Sequence, residues 1–297
     1  PAPGDVTILH FALPSPLTRA LRGLPSRKTI IYHNITPAKF FTPFSPDTAR
    51  IARVGREELA SLATAVDLAL ADSEFNRREL AALGFRNTGV LPLFVDFGKY
   101  EKPASRFVRD LVGDGRTNIL FVGRIAPNKK IEDLIKVVFY YKKYISPLVR
   151  LIVVGKTGSL PKYFESLVRM ADEFYLKPEE IQFTGHIPDE EMYAYYKASH
   201  VFLSMSEHEG FCLPLIESMV FDLPVVAFDS TAVPFTLDGA GVLLRDKGVD
   251  RTAETVAIVA HDEGLRARII DGQRRRLRRF REQDLGAFLL DKIGGLG

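Results

Sequence analysis

The sequence predicts an α/β fold built on parallel sheets, and three observations support that prediction. Short, continuous apolar runs recur along the chain, which is typical of strands that are buried on both faces. Longer amphipathic stretches separate these runs and have the periodicity of helices. The chain also has 297 residues, about twice the usual ~150 residues of one domain. Together these features indicate two doubly wound domains.

The first third of the chain carries four candidate strands, at 6–10, 29–33, 68–71 and 89–91. The stretches between them have helical character, at 16–24, 47–65 and 76–83. Gly84 follows the last of these, where a glycine commonly ends a helix. Four strands are fewer than a complete doubly wound domain has, so this part resembles the second half of one.

A second series follows the segment 97–117, whose charge, glycines, proline and lack of periodicity predict a linker. Its candidate strands are 118–123, 149–155, 182–185, 201–204, 224–228 and 241–244, and its helices include 131–144, 163–174 and 189–198. Six strand–helix repeats predict a nearly complete doubly wound domain. We therefore place one domain at 1–103 and the other at 104–297, with the last helix packing back on the first domain.

Composition excludes several classes of protein. With 46% hydrophobic and 26% charged residues the chain is typical of globular proteins. A net charge of +3 excludes histone-like polycations. The single cysteine, Cys212, excludes intrachain disulfides and cysteine-rich zinc sites. The apolar runs are shorter than the ~20 residues that a membrane-spanning helix needs. Scattered histidines and the absence of an Asp-x-Asp motif predict no metal site.

The densest candidate site is the segment 206–219, which follows the predicted strand 201–204. Ligands of open parallel sheets bind beyond the carboxyl ends of strands. Gly210 allows a close approach of backbone to ligand, and Pro214 suits the first turn of a helix that begins near Leu213. The amide groups at such a helix start bind phosphate well.

Two carboxylates in this segment can reach one pocket, Glu209 from the loop and Glu217 from the first turns of the helix. A carboxylate accepts hydrogen bonds from the vicinal hydroxyls of a sugar or ribose. Taken alone, Glu217 would complement the helix dipole and Glu209 would be a solvated loop charge. Their combination with Gly210 and Pro214 favours a role for both carboxylates in binding a sugar or ribose.

A second candidate site follows the strand at 118–123. Gly123, Arg124 and Lys129 lie in one loop that leads into the next helix. A planar guanidinium and an ammonium group together suit a diphosphate. The alternative is that Arg124 and Lys129 are ordinary exposed cations of a loop. The presence of the carboxylate-bearing segment 206–219 favours a diphosphate-binding site instead.

The order of these motifs resembles the retaining glycosyltransferases of family 4, which have the GT-B fold. Their hallmark is a pair of glutamates separated by seven residues, which Glu209 and Glu217 match. The resemblance covers residues 5–295 and is strongest in the C-terminal half. It implies two Rossmann-like domains facing a cleft, and transfer of a hexosyl group from a nucleotide-diphosphate sugar to a hydroxyl acceptor with retention of configuration. It also implies that neither metal nor cofactor is required.

The resemblance assigns a role to each matched position of the donor site. Glu217 would hold the ribose and Glu209 the transferred sugar, while His186 and Ile187 would meet the base. The donor diphosphate would contact Arg124, Lys129, Gly210, Phe211, Cys212 and Leu213.

The first domain would add two histidines, and Gly123 would line the cleft. His10 matches the active-site histidine of the family, and His33 lies at a second recurring position. Each could instead be a histidine at a strand end that is satisfied by backbone groups.

The chain departs from the family pattern at three glycine positions, which hold Lys130, Cys212 and Asp222. None of these changes removes a charged ligand. Family members also carry several strands before the first one here, including a glycine-rich loop. The resemblance therefore implies a truncated first domain.

Other functions stay open at this point. The chain could be a non-catalytic or truncated nucleotide-sugar-binding protein, or a GT-B nucleotide-sugar epimerase. Two arginine-rich segments, at 50–56 and 274–281, are expected to be solvated helix faces rather than nucleic-acid or membrane sites. The resemblance suggests polysaccharide or glycolipid assembly in the cytoplasm, with a carbohydrate or lipid-linked acceptor and at most peripheral membrane contact. The sequence does not specify the donor, the acceptor or the oligomeric state.

Overall fold

The computed structural model describes residues 1–295, which form two compact α/β units. Among the described residues, unit 1 comprises Pro1–Val95, His208–Phe211 and 282–295. Unit 2 comprises Asp96–Glu207 and Cys212–Arg281. The division between the first two long segments falls after Val95, whereas the sequence placed the domain boundary after residue 103.

Within residues 1–295 the secondary structure alternates between strands and helices. The strands are β1 (Val6–Phe11), β2 (Arg27–Tyr32), β3 (Leu68–Ala71), β4 (Thr88–Val90), β5 (Thr117–Val122), β6 (Val149–Val154), β7 (Ile181–Gly185), β8 (Val201–Ser204), β9 (Val225–Phe228) and β10 (Val242–Leu244). The helices are α1 (Pro16–Gly23), α2 (Pro46–Ser61), α3 (Glu74–Ala82), α4 (Arg106–Val112), α5 (Ile131–Tyr144), α6 (Pro161–Glu173), α7 (Asp189–Ala198), α8 (Leu213–Val220), α9 (Val233–Leu237), α10 (Val249–His261), α11 (Glu263–Arg281) and α12 (Leu285–Gly294).

The sheet of unit 1 has four parallel strands in the order β1-β2-β3-β4. All four residues of β3 are buried, which is why this strand reads as an uninterrupted apolar run. Helices α1, α2 and α3 are each preceded by an N-cap serine, Ser15, Ser45 and Ser73, whose side chain accepts a hydrogen bond from a backbone N–H of the first turn. The four predicted strands all exist, with ends shifted by one or two residues.

Helix α12 belongs to unit 1 although it follows the last strand of unit 2 in the chain. It packs Leu285, Phe288 and Leu289 against a buried cluster on the strands, formed by Ile31, Leu68, Leu70 and Leu91. The burial of these apolar side chains holds the end of the described chain on the first sheet.

The sheet of unit 2 has six parallel strands in the order β10-β9-β8-β5-β6-β7. This is the doubly wound order, in which the chain reverses direction across the sheet between β5 and β8. Strands β5, β6, β8 and β9 are almost completely buried. The prediction of a doubly wound α/β domain is confirmed.

The segment 97–117 is not an irregular linker, which corrects the sequence analysis. It contains a short 3-10 helix at Phe97–Glu101 and the helix α4, both within unit 2. Val108 and Val112 are buried, and they are one helical turn apart. Two apolar residues make too short a pattern to show helical periodicity in a sequence.

The loops after β5 and β6 approach each other so closely that only a glycine fits between them. A Cβ placed on Gly155, the residue after β6, would lie 1.8 Å from the carbonyl oxygen of Gly123, the residue after β5. The Gly155 N–H also donates to the carbonyl oxygen of Gly185, at 3.0 Å. Gly155 therefore couples the ends of three neighbouring strands.

We predict that Gly155→Ala lowers the free energy of unfolding of unit 2 by about 1–3 kcal/mol, because the backbone must shift to accommodate the methyl group. Gly158→Ala is the matched control, since a Cβ there meets nothing within 4 Å and should change stability by less than about 0.5 kcal/mol. Urea unfolding followed by circular dichroism measures both variants. Equal stability of the two variants would contradict the close contact.

Candidate active site

The crevice of unit 2 lies where β5 and β8 are neighbours. These parallel strands pair Ile119 with Val201 and Leu120 with Phe202, so both end at the same edge of the sheet. The loops that follow them are held together by the Glu207 N–H, which donates to the carbonyl oxygen of Asn128 at 2.8 Å. The two motifs that the sequence analysis selected therefore begin side by side at the switch point of the sheet.

Lys247 fixes the loop that follows β8. Its Nζ donates to the carbonyl oxygen of Met205 at 3.0 Å, to Oε1 of Glu207 at 2.8 Å and to Oδ2 of Asp133 at 3.0 Å. Burial opposes ionisation of Asp133, but the hydrogen bonds from Lys247 and Lys136 outweigh it and hold the pKa of Asp133 below its usual value. This partly buried network keeps the loop in one conformation.

The two cations that were predicted to bind diphosphate lie in the loop after β5. Arg124 is exposed and Lys129 is half-buried. Residues Pro127–Lys129 form a 3-10 turn, in which the Lys129 N–H donates to the carbonyl oxygen of Ala126 at 2.9 Å. The neighbouring Lys130 forms an ion pair with Glu132, at 3.0 Å. Arg124 thus presents its guanidinium group to solvent at the crevice.

Helix α8 begins at the predicted position in the segment that follows β8. Leu213 is its first residue, Pro214 lies in its first turn, and no side-chain cap is found among the described contacts of Cys212. The Leu215 N–H donates to the carbonyl oxygen of Cys212 at 3.1 Å. A helix start carries positive partial charge and free amide groups, which suit an anionic ligand.

The three positions where this chain departs from the glycines of the family all have left-handed backbone conformations. The φ angle is 69° at Cys212, 53° at Lys130 and 53° at Asp222. A side chain in this region costs about 1–2 kcal/mol relative to the right-handed conformation, whereas glycine adopts it freely. The loops therefore keep the backbone shape that glycine favours, although other residues occupy these positions.

Glu217 is buried within unit 2, with 5% of its surface exposed. Its Oε1 accepts a hydrogen bond from the Tyr100 hydroxyl at 3.0 Å, and its Oε2 accepts one from the Tyr196 hydroxyl at 2.9 Å. Lys99 Nζ lies 3.8 Å from Oε1. Burial, followed by the charge of Glu217, raises the pKa of both tyrosines. The sequence analysis missed these partners, which lie 117 and 21 residues away in the chain.

His186 and Ile187, predicted to lie near the base, follow directly after β7. Because β6 separates β7 from β5 and strands lie about 4.8 Å apart, these residues are roughly 10 Å along the sheet edge from the loop of Arg124. His186 is exposed and Ile187 is half-buried. Every predicted donor residue except Glu209, Gly210 and Phe211 thus belongs to unit 2.

Those three residues belong to the segment His208–Phe211, which is part of unit 1. Two asparagines hold this segment: Asn34 Oδ1 lies 2.7 Å from His208 Nε2, and Asn76 Nδ2 donates to the carbonyl oxygen of Gly210 at 3.2 Å. Asn34 Nδ2 also donates to Asn76 Oδ1, at 2.8 Å.

The packing around this segment is close. A Cβ at Gly210 would lie 2.5 Å from Cβ of Asn34, so the site requires a glycine there. Glu209 and Phe211 are buried, each with 6% of its surface exposed. Gly210 was predicted from the sequence, but Asn34, in the loop after β2, and Asn76, in the first turn of α3, were not.

The two predicted histidines of unit 1 lie at the carboxyl ends of β1 and β2 and contact each other. Nδ1 of His10 is 2.8 Å from Nε2 of His33. Nδ1 of His33 in turn lies 3.0 Å from both carboxylate oxygens of Asp72, directly after β3. This contact between His33 and Asp72 was not predicted from the sequence.

The arginine-rich segment at the end of α11 is engaged within unit 2. Arg274 pairs with Asp222 at 2.6 Å, and Arg279 pairs with Asp238 at 2.6 Å. Arg276 donates to the carbonyl oxygens of Thr236 and Phe235, both at 3.0 Å. These contacts attach α11 to the loops around α9, consistent with a structural role for the run.

Two searches of residues 1–295 gave no candidates. In this part of the chain, no three or more His, Cys, Asp or Glu residues are grouped so that they could hold a metal ion. None of its helices is both long and apolar enough to cross a membrane.

Comparison with known proteins identifies the family to which the chain belongs. The family model described as glycosyl transferases group 1 matches residues 106–276, more than half of the chain. A GDP-mannose-dependent alpha-mannosyltransferase of Mycobacterium tuberculosis is 28% identical over 232 residues, which are 76% of this chain and 56% of that protein. O-antigen chain mannosyltransferase B of Escherichia coli is 26% identical over 147 residues, 50% of this chain and 38% of that protein. The chain thus spans about half or less of these relatives.

Among solved structures, an alpha,alpha-trehalose-phosphate synthase (UDP-forming) from Burkholderia vietnamiensis is similar with a TM-score of 0.77 and 16% identity. The similarity covers 98% of this chain and 72% of that one. At this identity the likeness shows the fold, and it confirms the predicted α/β GT-B architecture with two Rossmann-like units.

We predict that Tyr196→Phe lowers the free energy of unfolding of unit 2 by about 1–3 kcal/mol, because it removes a donor to a buried carboxylate. Tyr195→Phe is the control, since it leaves both hydrogen bonds to Glu217 intact. Urea unfolding measures both variants. A loss as large in Tyr195→Phe as in Tyr196→Phe would contradict a specific role for the Glu217 hydrogen bonds.

Proposed function

The chain belongs to the family of glycosyl transferases group 1, and on that premise we propose that it is a retaining glycosyltransferase of the family 4 type. It transfers a hexosyl group from a nucleotide-diphosphate sugar to a hydroxyl group of a carbohydrate or lipid-linked acceptor. The reaction requires no metal ion, because cationic side chains and helix amides stabilise the leaving group. Assembly of a polysaccharide or glycolipid is the process that this activity serves.

The observation that supports this proposal most strongly is the arrangement at the switch point of unit 2. Exposed Arg124 and the start of α8 follow neighbouring strands. A guanidinium group binds phosphate oxygens bidentately, and a helix start adds amide donors and positive partial charge. Preorganised positive charge of this kind stabilises a departing diphosphate without reorganisation of solvent.

The proposed reaction is a front-face substitution at the anomeric carbon. The bond from that carbon to the diphosphate oxygen breaks, and the nucleoside diphosphate leaves with the electron pair. The acceptor oxygen forms the new bond on the same face and therefore retains the configuration. The proton of the acceptor hydroxyl passes to the departing phosphate oxygen. Arg124 and Lys129 neutralise the charge that develops there.

The remaining donor contacts are proposed from the resemblance to family 4. His186 and Ile187 lie near the base, and Glu209 holds the transferred sugar. Glu217 holds the ribose hydroxyls with lone pairs that its two tyrosine partners leave available, since a carboxylate has about four acceptor sites. Tyr100 and Tyr196 then orient the carboxylate through their hydrogen bonds.

The identity of the relatives suggests which donor to try first. Both relatives named above are mannosyltransferases, and one depends on GDP-mannose. The structural neighbour from Burkholderia vietnamiensis is a UDP-forming enzyme. GDP-mannose is therefore the first donor for assay, followed by UDP- and ADP-sugars.

We predict that Arg124→Ala and Lys129→Ala each weaken binding of the donor about ten- to a hundredfold. Loss of one charge-assisted hydrogen bond costs about 1.5–3 kcal/mol, and 1.4 kcal/mol corresponds to a factor of ten. Isothermal titration with the nucleoside diphosphate and with the sugar donor measures this change. Lys162→Ala and Arg169→Ala, exposed cations on α6, are the matched controls and should bind normally. Unchanged affinity in both loop variants would overturn the site.

Turnover assays separate the proposed function from its alternatives. A glycosyltransferase releases the nucleoside diphosphate and forms a glycoside whose anomeric configuration matches the donor. Donor binding with neither transfer nor hydrolysis would instead favour a nucleotide-sugar-binding protein. Isomerisation of the sugar without release of the nucleotide would favour an epimerase.

A further inference from the structure

Asp72, His33 and His10 form a continuous chain of hydrogen bonds in unit 1. Nδ1 of His33 is equidistant from the two oxygens of Asp72, at 3.0 Å, and Nε2 of His33 lies 2.8 Å from Nδ1 of His10. The imidazole planes differ by 9° and their centroids are 5.1 Å apart. Because the two nitrogens are 2.8 Å apart, a centroid separation of 5.1 Å means that the two rings lie nearly end to end. A hydrogen bond between two rings requires this arrangement.

This chain of hydrogen bonds runs from the interior of unit 1 to its surface. Asp72 is 3% exposed, the His33 side chain is 24% exposed, and His10 is exposed. The three residues occupy the carboxyl ends of three adjacent strands, β1, β2 and β3. His10 is the most exposed of the three residues and Asp72 is buried, so Asp72 influences a substrate through His33.

The hydrogen-bonding capacity of each group determines which atom donates and which accepts in each of these hydrogen bonds. An ionised carboxylate only accepts, so the nitrogen of His33 that faces Asp72 must carry a proton. In a neutral imidazole the other nitrogen is then an acceptor, so Nε2 of His33 accepts from the Nδ1–H of His10. His10 in turn must keep Nε2 without a proton. Nε2 of His10, the outermost nitrogen of this chain of hydrogen bonds, is therefore a hydrogen-bond acceptor.

We propose that Asp72 is a positioning residue which, through His33, holds His10 in the tautomer whose Nε2 accepts a hydrogen bond from a substrate hydroxyl group. The inference rests on the proposed glycosyltransferase function, since sugars and their acceptors supply that hydroxyl. Without the carboxylate, His33 loses its preference for a proton on Nδ1, and both rings can exchange tautomers. His10 then presents an N–H to the substrate for part of the time and fails to orient the hydroxyl.

Nitrogen-15 NMR of the histidine rings tests the tautomer directly. Spectra of histidine-labelled protein at mildly alkaline pH distinguish protonated from unprotonated ring nitrogens, and His10→Gln and His33→Gln assign the two rings. We expect His10 to be protonated at Nδ1 in the wild-type protein and to become a mixture of tautomers in Asp72→Asn. A wild-type His10 protonated at Nε2, or a tautomer unchanged by Asp72→Asn, would overturn the proposal.

Measurement of turnover is the second test of the role of Asp72. Asp72→Asn should lower kcat by at least about tenfold, with little change in the KM for the donor. Asp67→Asn is the matched control: this carboxylate precedes the same strand, accepts from the Lys28 N–H at 2.7 Å and lies outside the chain of hydrogen bonds. It should keep the wild-type kcat. An unchanged kcat in Asp72→Asn would contradict the positioning role.

The two measurements also separate this proposal from the proposed function. If the wild-type protein turned over no donor, the glycosyltransferase assignment would fail, while the ring-nitrogen spectra would still decide whether Asp72 fixes the tautomer of His10. If the wild-type protein were active and Asp72→Asn kept both its tautomer and its kcat, only the role of Asp72 would fail. Thermal unfolding of both aspartate variants verifies that each is folded.

Discussion

The adjacency of β5 and β8 is the constraint on which the candidate donor site depends. Parallel strands that are neighbours end at one edge, and the reversal of strand order leaves a crevice there. The contact between Gly155 and the carbonyl oxygen of Gly123 holds the first loop down on the sheet. The hydrogen bond between Glu207 and Asn128 joins that loop to the second. The cationic side chains are thus placed by backbone packing, independently of any ligand.

Buried polar partners provide a second layer of order in both units. Glu217 is oriented by two tyrosine hydroxyls, and His33 is oriented by the carboxylate of Asp72. Such partners matter because a buried charge without hydrogen bonds is costly, so each side chain has few alternative conformations. A site of this kind is organised before substrate binds, which is what electrostatic stabilisation of a leaving group requires.

The strands and the positions of the loops could be predicted from the sequence because strands buried on both faces, such as β3 and β8, are uninterrupted apolar runs. Cys212 stands at a glycine position of the resembled family, but its left-handed backbone was not predicted from the sequence. Helix α4 escaped prediction because its buried face has only two apolar residues. The partners of Glu217 and His33 escaped it because hydrogen bonds between distant residues leave no periodic signal in a single sequence.

A crystal structure of the protein with a bound nucleoside diphosphate tests the central claim most directly. The account predicts that the diphosphate lies at the switch point of unit 2, within hydrogen-bonding distance of the Arg124 guanidinium and of the amides at the start of α8. The base should then lie beside His186 and Ile187. A nucleotide bound elsewhere on the chain, or a diphosphate that contacts neither Arg124 nor the start of α8, would contradict it.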